Sequence, residues 1–422
     1  MTVAVLPFSD AAGIFLGASM AAFAMGFFPL ALIPLLLVAA GFNQVARVEG
    51  LQFGWWIVLG SAMGVFIRGM REGVKLKFDP EYIKVVIAFL LLASVSSFLK
   101  QEYRFDRLGM LLILLTVMSA LPGSLKIEGD PKTREFRISS AILIGGLVVS
   151  FYLIVLVLTG KAFLARGNEL SLAIGANESS PSSISRVLGF LLVLSLLLAI
   201  TRWNTRVTAR LYLVAIAFIF LAGMLYTGSR MPIFSAVFAI LVGMFLDTLF
   251  KRGLVHNKIL IFAGLALAVI YVIGSAVATG GSFNVPFFND GEVSLRVARA
   301  VSFEGNIRFY YWAQYFDNAT NTDWIFGSGI GVLNNPHSVW IGTLSTFGLI
   351  GLAFVLHFYS RIVRIAFFKF SIIGIAQLIY VALAYSSSSD VDRLPFWVLI
   401  SLCASALAVT RAGSRQKDIK RN

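Results

Sequence analysis

The chain has 422 residues, of which 58% are hydrophobic and only 13% are charged. A soluble domain carries about 25% charged residues, and the interior of a globule is too small to hide so much apolar surface. These figures exclude an ordinary water-soluble fold and predict a chain solvated by lipid. The formal net charge of +14 raises the question of nucleic-acid binding, which the placement of the basic residues answers.

Apolar stretches long enough to cross a membrane, about 20 residues each, recur along the whole chain. The first two are separated only by GFFP and form either two spans or one broken or re-entrant unit. The sequence therefore predicts an all-α integral membrane protein with 12 or 13 transmembrane helices. The predicted spans are 11–27, 29–45, 51–67, 82–99, 108–124, 138–158, 184–201, 211–226, 231–250, 259–278, 338–358, 371–387 and 394–410.

Basic residues in the short connections orient this bundle, because loops rich in Lys and Arg stay in the cytoplasm. The tail at 411–422 carries five basic residues, and alternate connections before it are basic as well. Six such segments hold 22 of the 35 Lys and Arg residues. The positive charge is therefore explained by the orientation of the chain in the membrane, and no nucleic-acid partner is predicted. The C-terminus is predicted to be cytoplasmic.

The same pattern divides the chain into four parts. A transmembrane bundle (1–278) is followed by a long outer loop (279–337), C-terminal transmembrane helices (338–410) and the basic tail (411–422). Long loops that carry no domain of their own are usually functional or disordered. Here FYYWAQYF (309–316) predicts an amphipathic helix at the membrane interface, and GSGIGV (327–332) predicts a turn back to the bilayer.

One candidate anion site lies where TGSRMP opens the span 231–250. Pro232 suits the first turn of a helix, and Ser229 or Thr227 has the side chain of a helix cap. Free N–H groups at a helix N-terminus attract anions, and Arg230 adds a full positive charge. The alternative is an arginine that only anchors the helix among the lipid headgroups.

The long loop carries three arginines, Arg296, Arg299 and Arg308, but five acidic residues, so it is not a general cationic patch. Each arginine is either paired with one of these acids or directed at a specific ligand. Arg308 directly precedes the aromatic segment, which would put it at the membrane surface beside lipid-linked phosphates.

His337 lies just before the span 338–358 and is the only one of the three histidines that the predicted topology puts outside. The dipole of the following helix favours the neutral imidazole, which accepts a proton at ordinary pH. A histidine bonded to a backbone group at the interface is the equally simple alternative.

The order of these motifs resembles that of the bacterial O-antigen polymerase and ligase superfamily. The resemblance covers about 227–356 and rests on short motifs in combination. They are GSR at the head of a span, Arg308 followed by a helix with Trp312, GSGIGV at 327–332, HSVW at 337–340 and FGLIGL at 347–352. Ser338 stands where the family often has asparagine after the histidine, a departure that leaves the His337 assignment standing.

The resemblance implies a GT-C-like glycosyltransferase of the bacterial inner membrane, with its active site on the periplasmic side. Its donor and acceptor would be undecaprenyl-diphosphate-linked oligosaccharides, supplied by a flippase. A chain-length regulator would be a further partner. Carried over residue by residue, the catalytic set is Arg230, Arg308 and His337. Further substrate contacts are predicted at Arg299, Arg296, Ser229, Tyr311, Trp312, Arg393 and Arg166.

No cofactor or metal is predicted. Glycosyl transfer from a lipid diphosphate needs stabilisation of the leaving charge, and two arginines can supply it in place of a metal bound by an Asp-x-Asp motif. Asp390-Val391-Asp392 comes near that motif. A direct displacement would invert the anomeric centre.

Three other functions stay open. A ligase would move the same donor to lipid A–core, and the motifs do not separate it from a polymerase. A non-catalytic polysaccharide transporter would be expected to show internal duplication and ionisable residues in mid-span. No duplication is evident, and the central stretches of most spans are uncharged. A structural membrane protein is the remaining alternative.

Overall fold

The computed structural model describes residues 10–43, 47–48, 51–73, 78, 80–100, 105–124, 131–159, 162–165, 169–174, 177–179, 182–201, 207–227, 230–250, 307–329, 338–368, 372–386 and 394–404. Its first helices are α1 (Asp10–Phe27), α2 (Pro29–Gly41), α3 (Phe53–Arg71), α4 (Pro80–Lys100), α5 (Phe105–Ser124) and α6 (Pro131–Leu158). They are followed by α7 (Ser182–Thr201), α8 (Val207–Tyr226), α9 (Arg230–Phe250), α10 (Ile307–Asn318), α11 (Asn321–Phe326), α12 (Val339–Phe368), α13 (Ile372–Ala384) and α14 (Leu394–Ala404).

The prediction of an apolar, helical chain is confirmed. Each predicted span other than 259–278 coincides with a helix, and 259–278 lies outside the described residues. Among the described residues, five helices are long and apolar enough to cross a membrane, and seven shorter apolar helices accompany them. Helices of this composition indicate a membrane protein.

Two small antiparallel sheets depart from the all-helical prediction. Strands β1 (Arg47–Val48) and β2 (Leu51–Gln52) form a hairpin before α3. Strands β3 (Ala162–Ala165), β4 (Glu169–Ile174) and β5 (Asn177–Ser179) pair in order within the connection between α6 and α7. Polar and apolar residues alternate over the first four residues of β4, which is the sequence signal of a strand.

The first two helices run in opposite directions. Gly60 and Gly64 of α3 pack against the backbone of Ala18 and Ala22 in α1, so α1 and α3 are parallel. Helices α1 and α3 end side by side, where Gly26 lies near Ile67, and Ala39 at the end of α2 lies beside Gly54 at the start of α3, so α2 runs back antiparallel to both. The break after α1 at Phe28 is therefore a reversal of the chain and not a kink in one helix.

Contacts among the later helices define the end of the bundle that matters for the site. The N–H of Val339, at the start of α12, donates to the carbonyl of Tyr385, just after α13 (3.0 Å). Tyr380 of α13 in turn donates its hydroxyl to the carbonyl of Arg186 in α7 (2.8 Å). Gly223 near the end of α8 packs against Leu188 near the start of α7, and α9 begins three residues after Thr227, so α7 and α9 begin at the same end of the bundle.

We call the end at which α7, α9 and α12 begin and α13 finishes the outer end, after the orientation that the sequence predicts. Helix α4 runs antiparallel to α12, because Phe89 stacks on Phe347 (centroids 4.1 Å apart) and Tyr82 meets Phe358. Large buried aromatic side chains of this kind fill the interior between the helices.

Candidate functional site at the outer end of the bundle

The predicted catalytic arginines open two of the helices. Arg230 is the first residue of α9, and Arg308 is the second residue of α10. Tyr311 and Trp312 follow on α10, where Trp312 is half-buried. Six of the predicted site residues lie outside the described residues, namely Arg166, Ser229, Arg296, Arg299, His337 and Arg393.

Helices α10 and α11 form a compact aromatic unit. Phe316 stacks on Trp324 with ring centroids 5.5 Å apart, and the buried ring of Tyr315 packs against both. The aromatic segment that the sequence predicts as an interfacial helix falls within α10. Burial raises the pKa of Tyr315 to about 12, because the charged phenolate is poorly solvated there.

Asp323 holds the start of α11 and the chain after it together. Its Oδ2 accepts hydrogen bonds from the backbone N–H of Thr320 (3.0 Å) and from the Thr320 hydroxyl (2.6 Å). Its Oδ1 accepts one from the hydroxyl of Ser328 (2.7 Å). The carboxyl is only 5% exposed. Asp323 therefore ties the helix cap at Thr320 to the turn at 327–329.

Helix α12 is broken at Gly348, where φ is 65° and ψ is −170°. In an unbroken helix the carbonyls of residues 344–346 would accept from the N–H groups of residues 348–350. Here these three carbonyls accept, in order, from the Tyr315 hydroxyl (3.4 Å), the Ser328 N–H (2.7 Å) and the Gly329 N–H (3.3 Å), all of which lie outside α12. The segment 315–329 thus docks on the opened backbone of α12.

Two glycines make this contact possible. A Cβ at Gly327 would overlap the backbone of Thr346, and a Cβ at Gly348 would overlap the backbone of Ile325. Both glycines also have a positive φ (83° and 65°), which side-chain-bearing residues rarely adopt. We call this contact between residues 315–329 and 344–348 the α11–α12 junction.

The junction lies well inside the bundle. Gly348 is nine residues from Val339, which corresponds to about 14 Å of helix, and the neighbouring Phe347 stacks on Phe89 in the middle of α4. Irregular backbone at membrane depth is tolerated only where protein covers it or where it lines a cavity. The junction therefore brings part of the predicted outer loop into the helical bundle.

Arg186 of α7 is a buried charge that the sequence reasoning did not single out. It is 3% exposed, and its guanidinium lies 5.0 Å from the centre of the Tyr385 ring, within cation–π range. A signal was available in the sequence: an arginine near the start of a predicted span is an ionisable residue in a membrane segment, and such residues are rare without a function.

Tyr385 links Arg186 to the start of α12. Its ring faces the guanidinium, and its carbonyl accepts from Val339, two residues after His337. Next to it, the indole Nε1 of Trp340 donates to the Ser386 hydroxyl (2.9 Å). The outer ends of α7, α12 and α13 are thereby joined through one turn at Tyr385–Ser386.

No protein-family model matches the chain, and no curated protein matches it. Within the described ranges, no group of three His, Cys, Asp or Glu side chains could hold a metal ion.

Proposed function

We propose that the protein is a surface-polysaccharide polymerase, an inverting glycosyltransferase that joins undecaprenyl-diphosphate-linked repeat units at the outer end of the bundle. The observation that supports this most is the α11–α12 junction. It ties α10, whose second residue is Arg308, to α12, which begins two residues after His337. Tyr385, just after α13, accepts from the start of α12, and Ala376 of α13 packs against Gly243 of α9, the helix that begins at Arg230.

The proposed reaction is a single displacement. The acceptor hydroxyl oxygen forms a bond to the anomeric carbon of the donor as the bond from that carbon to the diphosphate oxygen breaks. His337 takes the hydroxyl proton, and undecaprenyl diphosphate leaves with the electron pair. Arg230 and Arg308 bind the diphosphate and stabilise its growing negative charge, which is the main requirement of this reaction.

The break in α12 is also the feature that favours one of the alternatives, a polysaccharide transporter. Discontinuous helices with binding sites near mid-membrane are typical of transporters. Such a protein would move lipid-linked or free glycan without forming a glycosidic bond. Activity therefore has to be measured as new bonds and not as the appearance of polymer at the cell surface alone.

The proposal is tested in a strain that lacks this gene, complemented with wild-type protein or with Arg230→Ala, Arg308→Ala or His337→Ala. We expect all three variants to reach the membrane in normal amount and to make no glycan chains longer than one repeat. Arg71→Ala, at the opposite end of the bundle and with a 44% exposed side chain, is the matched control and should support full chain extension.

The products of the deletion strain identify the step. A single repeat attached to core supports a polymerase, whereas long lipid-linked chains beside bare core indicate a ligase. Normal chains from both Arg230→Ala and Arg308→Ala would refute the role given to the two arginines.

Metal independence is a separate prediction, because the arginines take the place of a divalent cation. Membranes that contain the protein should extend chains at an unchanged rate in EDTA. A strict requirement for added Mg²⁺ would contradict the proposed mechanism.

A further inference from the structure

The position of Arg186 is energetically unfavourable. A charged side chain within a membrane helix is destabilising, and it usually marks a pathway or a site. Here the guanidinium is buried between α7 and α13 at the outer end, against the face of Tyr385. The face of an aromatic ring attracts a cation, and this contact helps to hold the guanidinium there.

Tyr385 supplies a second and independent observation. Its side chain is fully buried, and its hydroxyl has no hydrogen-bond partner among the residues that the structure describes. Buried polar atoms are nearly always hydrogen-bonded, and an exception calls for an explanation such as a bound polar group. An open hydroxyl donor on the residue whose ring covers a buried guanidinium indicates a site for an oxyanion.

We propose that Arg186 and Tyr385 bind an anionic group of the substrate, with the guanidinium and the phenol hydroxyl donating to its oxygens. Guanidinium groups match phosphate and carboxylate geometry and form their strongest hydrogen bonds with them. The shared chemistry is an oxyanion, from either the diphosphate of the polyprenyl donor or the carboxylate of an acidic sugar. The inference rests on the proposed function for this choice of substrate.

The side chains of Arg186 and Tyr385 are both buried in the structure. Access to this site therefore involves the turn at Tyr385–Ser386. The same turn accepts the Val339 N–H through its backbone and holds Trp340 through the Ser386 hydroxyl. Movement of the turn to admit an anion therefore shifts the start of α12. Anion binding is thus coupled to the residues that follow His337, and it changes the surroundings of the Trp340 indole.

The test is a binding measurement on the purified full chain in detergent. Undecaprenyl diphosphate and glucuronic acid are titrated separately, and tryptophan fluorescence reports binding, with Trp340→Phe identifying the signal of that indole. Tyr385→Phe removes one oxygen that has no hydrogen bond among the described residues, so its thermal stability should equal that of the wild type. Its affinity should fall about tenfold, the value of one hydrogen bond to a charged acceptor.

Arg186→Gln should weaken binding by about 30-fold, because it removes a charge-assisted hydrogen bond, and Arg186→Lys should recover part of this loss. Arg71→Gln, at the opposite end, is the control and should bind like the wild type. If Arg186→Gln does not fold, Tyr385→Phe alone decides the question. Wild-type affinity of Tyr385→Phe for both ligands would overturn the proposal.

The two titrations separate the sources of the anion. A loss confined to undecaprenyl diphosphate assigns the site to the lipid diphosphate, and a loss confined to glucuronic acid assigns it to an acidic sugar. The result is independent of turnover. If the variants lose affinity but the wild type makes no polymer, the anion site stands and the polymerase proposal fails; the reverse outcome removes only the anion site.

Discussion

The two ends of the bundle each bury an arginine, but they treat it differently. At the inner end, Arg68 of α3 is 4% exposed and forms a salt bridge of 3.0 Å with Glu72, one turn along the same chain segment. At the outer end, Arg186 is equally buried and lies against Tyr385, a residue contributed by the end of another helix.

The two ends differ in how far apart in the chain the contacting residues lie. The Arg68–Glu72 pair forms as soon as the end of α3 is helical, and it stabilises the inner end by local means. The contacts of the outer end are long-range: Arg186 meets α13, the start of α12 bonds to Tyr385, and α12 opens its backbone to residues 315–329. Long-range polar contacts and broken helices are where membrane proteins place sites.

The largest effect on stability is expected from Glu72→Gln at the inner end. Removal of one partner of a buried ion pair leaves an uncompensated charge and costs about 3 kcal/mol. Unfolding in detergent should show this loss, while Arg71→Gln, which changes the exposed partner of Glu72 at 3.5 Å, should change stability by less than about 0.5 kcal/mol. Equal effects of the two variants would contradict the contrast between the ends.

Gly348→Ala should disrupt the outer end through its backbone. Alanine is strained at a φ of 65° and a ψ of −170°, and its Cβ would overlap Ile325. We expect a loss of about 2–3 kcal/mol in the free energy of unfolding. Gly109→Ala is the matched control, because no atom lies within 4 Å of a Cβ built there; if both variants are equally stable, α12 is not broken at Gly348.

Asp323→Asn should weaken the junction without adding bulk. The amide keeps the size of the carboxyl, but it loses the charge that accepts from Thr320 and Ser328, a loss of about 1–2 kcal/mol. The control is Asp317→Asn, because Asp317 is exposed near the end of α10. The prediction fails if the two variants unfold at the same temperature.

Tyr315→Phe should have the smallest effect, about 0.5 kcal/mol, because its hydrogen bond to Leu344 is long at 3.4 Å. The same substitution tests the raised pKa. Since burial raises the pKa of Tyr315 from 10.0 to about 12, the folded state holds the phenol proton more tightly than the unfolded state. Its contribution to stability is complete below pH 10 and falls as the pH rises from 10 to 12.

A difference ultraviolet titration of the wild type against Tyr315→Phe checks this directly. The lost phenolate signal should appear near pH 12, and a midpoint at pH 10 would show that the hydroxyl is solvated.

Much of the fold was accessible from the sequence, because a membrane helix is encoded by its own apolar residues. The predicted bounds of the described spans agree with the helix ends to within a few residues except at two places. Helix α6 begins at Pro131 and not near 138, and α12 continues to Phe368 instead of ending near 358. The alternation of polar and apolar residues in β4 was present but covered only four residues. The sequence did not decide whether the chain reverses between α1 and α2, since GFFP fits both a kink and a turn.

The contacts at the outer end could not be predicted from the local sequence. The sequence predicts a turn at GSGIGV, and the positive φ angles of Gly327 and Gly329 are those of glycine turns. It cannot tell that this turn supplies N–H donors to α12, because nothing near Gly348 specifies a partner far away in the chain. Arg186 carries a sequence signal, because it is an ionisable residue near the start of a span, but only the tertiary packing brings Tyr385 to it.

The most direct test of the central claim is chain extension by the purified protein. The chain is reconstituted in lipid nanodiscs with EDTA and with the undecaprenyl-diphosphate-linked repeat isolated from the deletion strain, and the products are separated by size. We expect a ladder of lengthening glycans from the wild type and from Arg71→Ala, and only the starting repeat from Arg230→Ala. A ladder from Arg230→Ala, or none from the wild type, would contradict the account.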